Sequence, residues 1–305
     1  MVRLQQHKHI LGSEAYITLI GNAGQFLEMA LEMLWQELTI FEHTFSRFLS
    51  DSELTYVNER AGLPTEVSTE FIALACTAQD YVKRTDGLYN PFVLPALQRA
   101  GYKGSWPHMD TQGEAPDFSE RNFSKSLSLK IDGSNVTIPD HSALDFGGIG
   151  KGYALDQLGA ILRRQGIENY WVSLGGDILA SGTDIDGKSW QIPIGQALDE
   201  AITCAQLPVG PEPQAVATSG IVKRAGTGWN HLIDPRTGHS TKTDILAASV
   251  VADSGVSADV YAKCLVLMGS REAPKFAKKL GILDYVLQIQ SKQGTVVVSK
   301  QGDFQ

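Results

Sequence analysis

From residue 23 to 46 the apolar positions Leu27, Leu31, Leu34, Leu38, Phe41 and Phe45 follow one another at steps of three and four, with Phe26 beside the first. That spacing is one face of a helix. A second helix is expected from about Ser68 to Arg84, with Phe71, Leu74, Ala75, Ala78 and Tyr81 on one side and Ser68 or Thr69 as N-cap. Two more follow, over "GYALDQLGAILRRQG" (152–166) and from Ser257 to about Met268, the latter succeeded by "APKFAKKLG". The strand-like runs are "NYWVSL", "DILASG", "SWQIPIG", "AITCAQLPV", "QAVATSG", "WNHLID" and "DILAASVVAD". Two short strands about a turn fit "SLSLKIDGSNVTIP", and the hairpin "DYVLQIQSKQGTVVVSK" closes the pattern. Residues 104–125, polar and broken by Gly and Pro, read as a long surface loop. Strands gather in runs instead of alternating with helices, which predicts an α+β fold with a largely antiparallel sheet. With no repeat and no clean linker, residues 1–305 are expected to form a single domain.

Composition narrows the classes. The chain is 43% hydrophobic and 20% charged with a formal net charge of −8, and no run of Lys or Arg breaks that acidic balance. A nucleic-acid partner is disfavoured. An anionic ligand would have to be held by local devices such as glycine loops, helix N-termini or a cation. Cys76, Cys204 and Cys264 are far apart and lie in apolar-looking segments, so reduced, buried thiols are expected. The start, "MVRLQQHKHILGSEAYITLIG", lacks the apolar core of a signal peptide, and no run approaches a membrane span. A cytoplasmic protein is the expectation.

The candidate chemistry lies in short glycine- and acid-rich turns. "DFGGIGKG" (145–152) has neither the Walker spacing nor G-x-G-x-x-G, since Tyr153 stands at the last glycine position. H-E-x-x-H and G-x-S-x-G are absent. What remains is "DGLYNP" (86–91), "DFGGIGKG", "SLGGDI" (173–178), "ATSGIVKR" (217–224), "HLIDPRTGH" (231–239) and "SADVYAK" (257–263). Each has a plain structural reading. "LGGD" makes a hairpin turn, "DPRTG" a type I turn with Pro second, and Asp259 with Lys263 an i,i+4 ion pair.

As a set, and in this order, the turns resemble the ApbE family of FAD:protein FMN transferases. "LDFGGIGKGYALD" (144–156) matches that family's D-L-G-x-I-A-K-G-Y-A-V-D block, and "TDGLYNPFVLPALQRAGY" (85–102) its T-D/G-G-x-F-D-P-T block. "FSRFLSDSELTYVN", "WVSLGGDILASG", "VATSG", "HLIDPRTGH" and "SADVYAKCLVLMG" continue the likeness, which runs from about residue 10 to 270. The resemblance implies a T-fold-like core and an FAD cleft lined by the glycine-rich loops. It implies transfer of FMN from FAD to a Ser or Thr hydroxyl of an acceptor protein, with release of AMP and usually with Mg²⁺. Some members hydrolyse FAD to FMN and AMP instead, and a non-catalytic FAD-binding protein is a third possibility.

Carried over by position, the resemblance makes His231 the general base, with Asp234 orienting it or touching the ligand. It gives the flavin nucleotide Gly87, Asn90, Gly148, Lys151, Gly175, Gly176, Asp177, Thr218 and Ser219. The glycines at 147, 148, 150 and 152 would let backbone approach the dinucleotide, with the pyrophosphate at the helix N-terminus. The metal would sit among Asp259, a carbonyl near Gly148 and one further oxygen. Two departures stand out. Lys263 replaces the usual metal-binding threonine, and an ammonium salt-bridged to Asp259 is expected to substitute for the cation partly or wholly. Asn90 and Phe92 stand where the family often has Asp and Thr. Tyr102 and Trp106 are read as packing residues.

Overall fold

The computed structural model describes residues 1–104, 116–121 and 128–305. Trp106 and most of the loop expected over 104–125 lie outside the described residues. Six α-helices are described: α1 (Gly24–Phe45), α2 (Glu53–Glu59), α3 (Thr69–Arg84), α4 (Leu94–Ala100), α5 (Gly150–Arg164) and α6 (Gly255–Leu280). The chain divides into two units, residues 1–39, 151–222 and 243–305 in the first, 40–150 and 223–242 in the second.

The first unit is built on an eight-stranded sheet: β1 (Val2–Ile10), β2 (Ser13–Gly21), β3 (Asn169–Leu174), β4 (Asp177–Ser181), β5 (Gln214–Gly220), β6 (Ile245–Ala252), β7 (Asp284–Gln290) and β8 (Val296–Gln301). The strands lie side by side in chain order, every neighbouring pair antiparallel. This is the α+β architecture that the clustering of strand patterns predicts. Period-2 alternation is plain in β3, where Tyr170, Val172 and Leu174 are buried and their neighbours half-buried. Ile178, Ala180, Val216 and Val286 pack in one core cluster with the hairpin 191–195/203–208. Helix α6 packs on β5 and β6. It is interrupted at Gly269 (φ 71, ψ 163), one residue past the expected end at Met268.

In the second unit Ser68 caps α3 as expected, its hydroxyl accepting from Phe71 N–H, and Phe71, Leu74, Ala75, Ala78 and Tyr81 are buried. Phe41, Phe45, Phe71 and Phe146 form an aromatic core with ring centroids 4.7–5.9 Å apart. The short strands Lys130–Asp132 and Asn135–Thr137 pair about the expected turn.

Three expectations are corrected. Phe26 is 37% exposed, one step off the buried α1 stripe. Cys76 is exposed and Cys204 half-buried, while Cys264 alone of the three is buried. Position 76 points away from the apolar face of α3, which Ala75 and Ala78 define. The run "WNHLID" is two strands, Trp229–Asn230 and Ile233–Asp234. Asn230 breaks it: Oδ1 accepts from Leu232 N–H at 3.0 Å and Nδ2 donates to Thr241 O at 3.0 Å, and His231 sits in the resulting bend.

Candidate functional site

Within the first unit, residues from four separate motifs meet around two carboxylates. The turn Gly175-Gly176 joins β3 to β4 with φ of 59° and 94°, the paired left-handed geometry of a two-residue hairpin. It delivers Asp177, 1% exposed, to the first position of β4. Asp177 Oδ2 is ion-paired with Lys151 of α5, and Oδ1 accepts from Thr218 N–H of β5 at 3.2 Å. Thr218 Oγ1 in turn shares a 2.8 Å hydrogen bond with Ser249 of β6. Lys151, Asp177 and Thr218, named separately from the sequence, thus form one connected group. Ser219 does not join it on that face. Successive residues of a strand point to opposite sides, and Ser219 is buried while Thr218 is exposed.

The second carboxylate is Asp259, one turn into α6 and also 1% exposed. Its Oδ1 is ion-paired with Lys263, whose Nζ lies 3.3 Å from the Asp259 carbonyl as well. Its Oδ2 accepts from Gly152 N–H at 3.2 Å. Burial pushes the Asp259 carboxyl up, but the Lys263 and Lys151 charges and the Gly152 N–H outweigh it, and the net shift is below the ordinary value.

Helices α5 and α6 hold each other at their N-termini. While Asp259 accepts from Gly152, Asp156 of α5 accepts from Gly255 N–H (2.6 Å) and Val256 N–H (3.1 Å) at the start of α6. Burial raises the Asp156 pKa, and these two bonds offset it only in part. The approach is close because both contact residues are glycines. A Cβ at Gly152 would fall on the Gly255 carbonyl and within 2.8 Å of Asp259 Cβ, and one at Gly255 would fall on Gly152 O. The steric need for glycine at 152 therefore comes from packing inside the protein, whereas Gly148 lies half-buried in the turn before α5.

In the second unit His231 is half-buried, and its Nδ1 lies 3.2 Å from the Arg224 carbonyl. A carbonyl can only accept, so Nδ1 is the donor in that contact. The ring meets Tyr102 edge-on at 6.3 Å. Asp234 opens the turn that "DPRTG" predicts, its carbonyl accepting from Thr237 N–H. Its carboxylate is gripped by Arg236 through Nε (2.9 Å) and Nη2 (2.7 Å). Gly87 (φ 78) follows Asp86 (φ 51) in a left-handed pair. Asn90, 4% exposed, accepts from Phe92 N–H at 2.8 Å through Oδ1, which fixes the amide orientation and leaves its buried Nδ2 without a hydrogen-bond partner among the described residues.

Sequence reasoning missed several members. Arg47 is buried between Phe48 and Tyr102 and paired with Asp145 at 3.0 Å. Burial lowers its pKa more than Asp145 raises it. The only signal was a lone arginine inside the aromatic run "FSRF". Asp156 and Ser249 were passed over because their partners are remote in sequence.

The residues do not fit a Mg²⁺ ion at Asp259. Such an ion needs oxygen ligands, and here the carboxylate oxygens meet an ammonium and a backbone N–H. Among the described residues no group of three His, Cys, Asp or Glu side chains is placed to hold a metal, and no helix is long and apolar enough to cross a membrane.

Comparison with known proteins completes the picture. The family model described as "ApbE family" matches residues 11–287. The FAD:protein FMN transferase of Haemophilus influenzae is 27% identical over 266 residues, covering 83% of this chain and 76% of that protein. That of Chlamydia muridarum is 30% identical over 269 residues, covering 81% and 79%. Among solved structures, the flavin transferase ApbE from Vibrio cholerae superposes with a TM-score of 0.81 at 24% identity, covering 99% of this chain and 97% of the other.

Proposed function

Since the chain belongs to the ApbE family, we propose a residue-level account of its activity as an FAD:protein FMN transferase. FAD is the substrate, and the second substrate is an acceptor protein. In the reaction an acceptor Ser or Thr oxygen attacks the FMN-side phosphorus. The bond from that phosphorus to the bridging oxygen breaks, and AMP leaves with the bridging oxygen. The hydroxyl proton passes to a base.

Roles are assigned within each unit by itself. In the first, Lys151 supplies positive charge to the pyrophosphate, fixed in place by Asp177. The Gly175-Gly176 turn and Thr218 contact the flavin nucleotide, with Ser219 as a supporting residue of β5. Asp259 and Lys263 set the charge at the start of α6. In the second unit His231 takes the proton, and Asp234 opens the turn that follows it in the chain. Gly87, Asn90 and Gly148 offer backbone and amide groups to the nucleotide. The observation that carries this reading is the Lys151–Asp177–Thr218 connection, which joins three of the family-like motifs around one buried carboxylate.

The test is AMP release from FAD by the purified protein, followed chromatographically with and without an acceptor domain. AMP that requires acceptor, with flavin fixed to it, is the expected result. AMP and free FMN without acceptor would replace transfer by hydrolysis, and no AMP under any condition would refute both.

A further inference from the structure

We propose that the Lys263 ammonium occupies the position of a divalent cation, so that this chain offers its anionic substrate a metal-free pair of lysines. The inference rests on the FMN-transfer reading only for the identity of that anion. The two ion pairs are built alike. Asp177 gives one oxygen to Lys151 and the other to Thr218 N–H, and Asp259 gives one to Lys263 and the other to Gly152 N–H. Lys151 also acts on Asp259 through its charge. Two buried carboxylates and two half-buried lysines make a group of no net charge.

An i,i+4 ion pair on an exposed helix needs no function. This one differs because Asp259 is 1% exposed and Lys263 16%, so both partners have lost most of their water. Burying such a pair is seldom a gain in stability over apolar residues. A divalent ion added here would leave two uncompensated positive charges in low dielectric. With threonine at 263 the same cluster would carry one net negative charge and an open Asp259 oxygen, which is what a hard cation seeks. The ammonium has three N–H donors. Two are accounted for by Asp259 Oδ1 and its carbonyl, and the third is available to a phosphate oxygen reaching the partly exposed side chain.

Mn²⁺ binding, read by the loss of the free-ion electron paramagnetic resonance signal, tests this on the full chain without FAD. Lys263→Thr should bind one equivalent more than the wild type, and adding Asp259→Asn should abolish it. Wild-type binding that Asp259→Asn removes would overturn the proposal, and so would a folded Lys263→Thr that gains no equivalent. If Lys263→Thr fails to fold, the comparison of wild type with Asp259→Asn still decides. A second readout is AMP release in EDTA against Mg²⁺, expected equal for the wild type and raised about tenfold by Mg²⁺ in Lys263→Thr. Strong Mg²⁺ dependence of the wild type would also refute it. Absence of AMP throughout would instead sink the transferase reading, and the Mn²⁺ result would stand by itself.

Discussion

Gly152→Ala puts one methyl group where α5 meets α6. Its carbon would overlap the Gly255 carbonyl, with Gly255 C at 2.5 Å and Asp259 Cβ at 2.8 Å, against ordinary contacts of 3.4 Å or more. The obstacle is backbone, so the helix start must move by most of an ångström, and the 3.2 Å bond from Gly152 to Asp259 moves with it. Overpacking of this kind costs up to about 3 kcal/mol. Alanine returns about 1 kcal/mol of helix propensity. The net loss is about 2 kcal/mol, and for a chain of this length that lowers Tm by about 3 °C. Gly150→Ala is the control, because its Cβ would meet only the edge of the Phe41 ring, at 3.6 and 3.8 Å, and the family block carries alanine at that place. Differential scanning calorimetry of the two variants beside the wild type gives the answer. A Gly152→Ala protein as stable as Gly150→Ala would show that the helices are not in the contact described.

Lys263→Met leaves Asp259 buried without its cation and should cost about 3 kcal/mol in urea unfolding at pH 7. The folded Asp259 pKa is depressed, so its contribution is complete above the unfolded value of about 3.9 and disappears as pH falls through the folded value. The gap between wild type and variant should therefore be level from pH 6 to 8 and shrink below about pH 4; a gap that widens in acid would contradict the assignment. Asn90→Ala removes a buried amide donor and should weaken FAD binding about tenfold by fluorescence titration, whereas an unchanged Kd would remove Asn90 from the ligand contacts. Thiol titration with an aromatic disulfide at pH 8 should modify Cys76 quickly and Cys264 only on unfolding, since burial pushes the Cys264 thiol up to about 12.

Legibility in the sequence followed the range of the interactions. Ser68 capping α3 and Asp259 pairing with Lys263 are written in spacings of three and four residues, and both are present as read. Strand β1 was not foreseen: "VRLQQHKHI" has almost no buried side chain, and its strand form comes from pairing along β2. Helices α2 and α4 are seven residues each, too short for a periodic stripe to declare itself. The packing contact of Gly152 is not legible in the sequence because its neighbour, Gly255, is a hundred residues on. The same distance hid Asp156, whose acceptor role shows only once the start of α6 is beside it.

The exchange of carboxylates between α5 and α6 also has a meaning in time. Gly152 finds its acceptor 107 residues downstream, and Gly255 finds its own 99 residues upstream. As the chain leaves the ribosome, α5 emerges with that amide bonded to water, and its protein acceptor follows only after more than a third of the molecule. When α6 arrives, both ends are completed in one event. The amide protons of Gly152, Gly255 and Val256 should accordingly exchange with solvent at a common rate, as reporters of a single opening step.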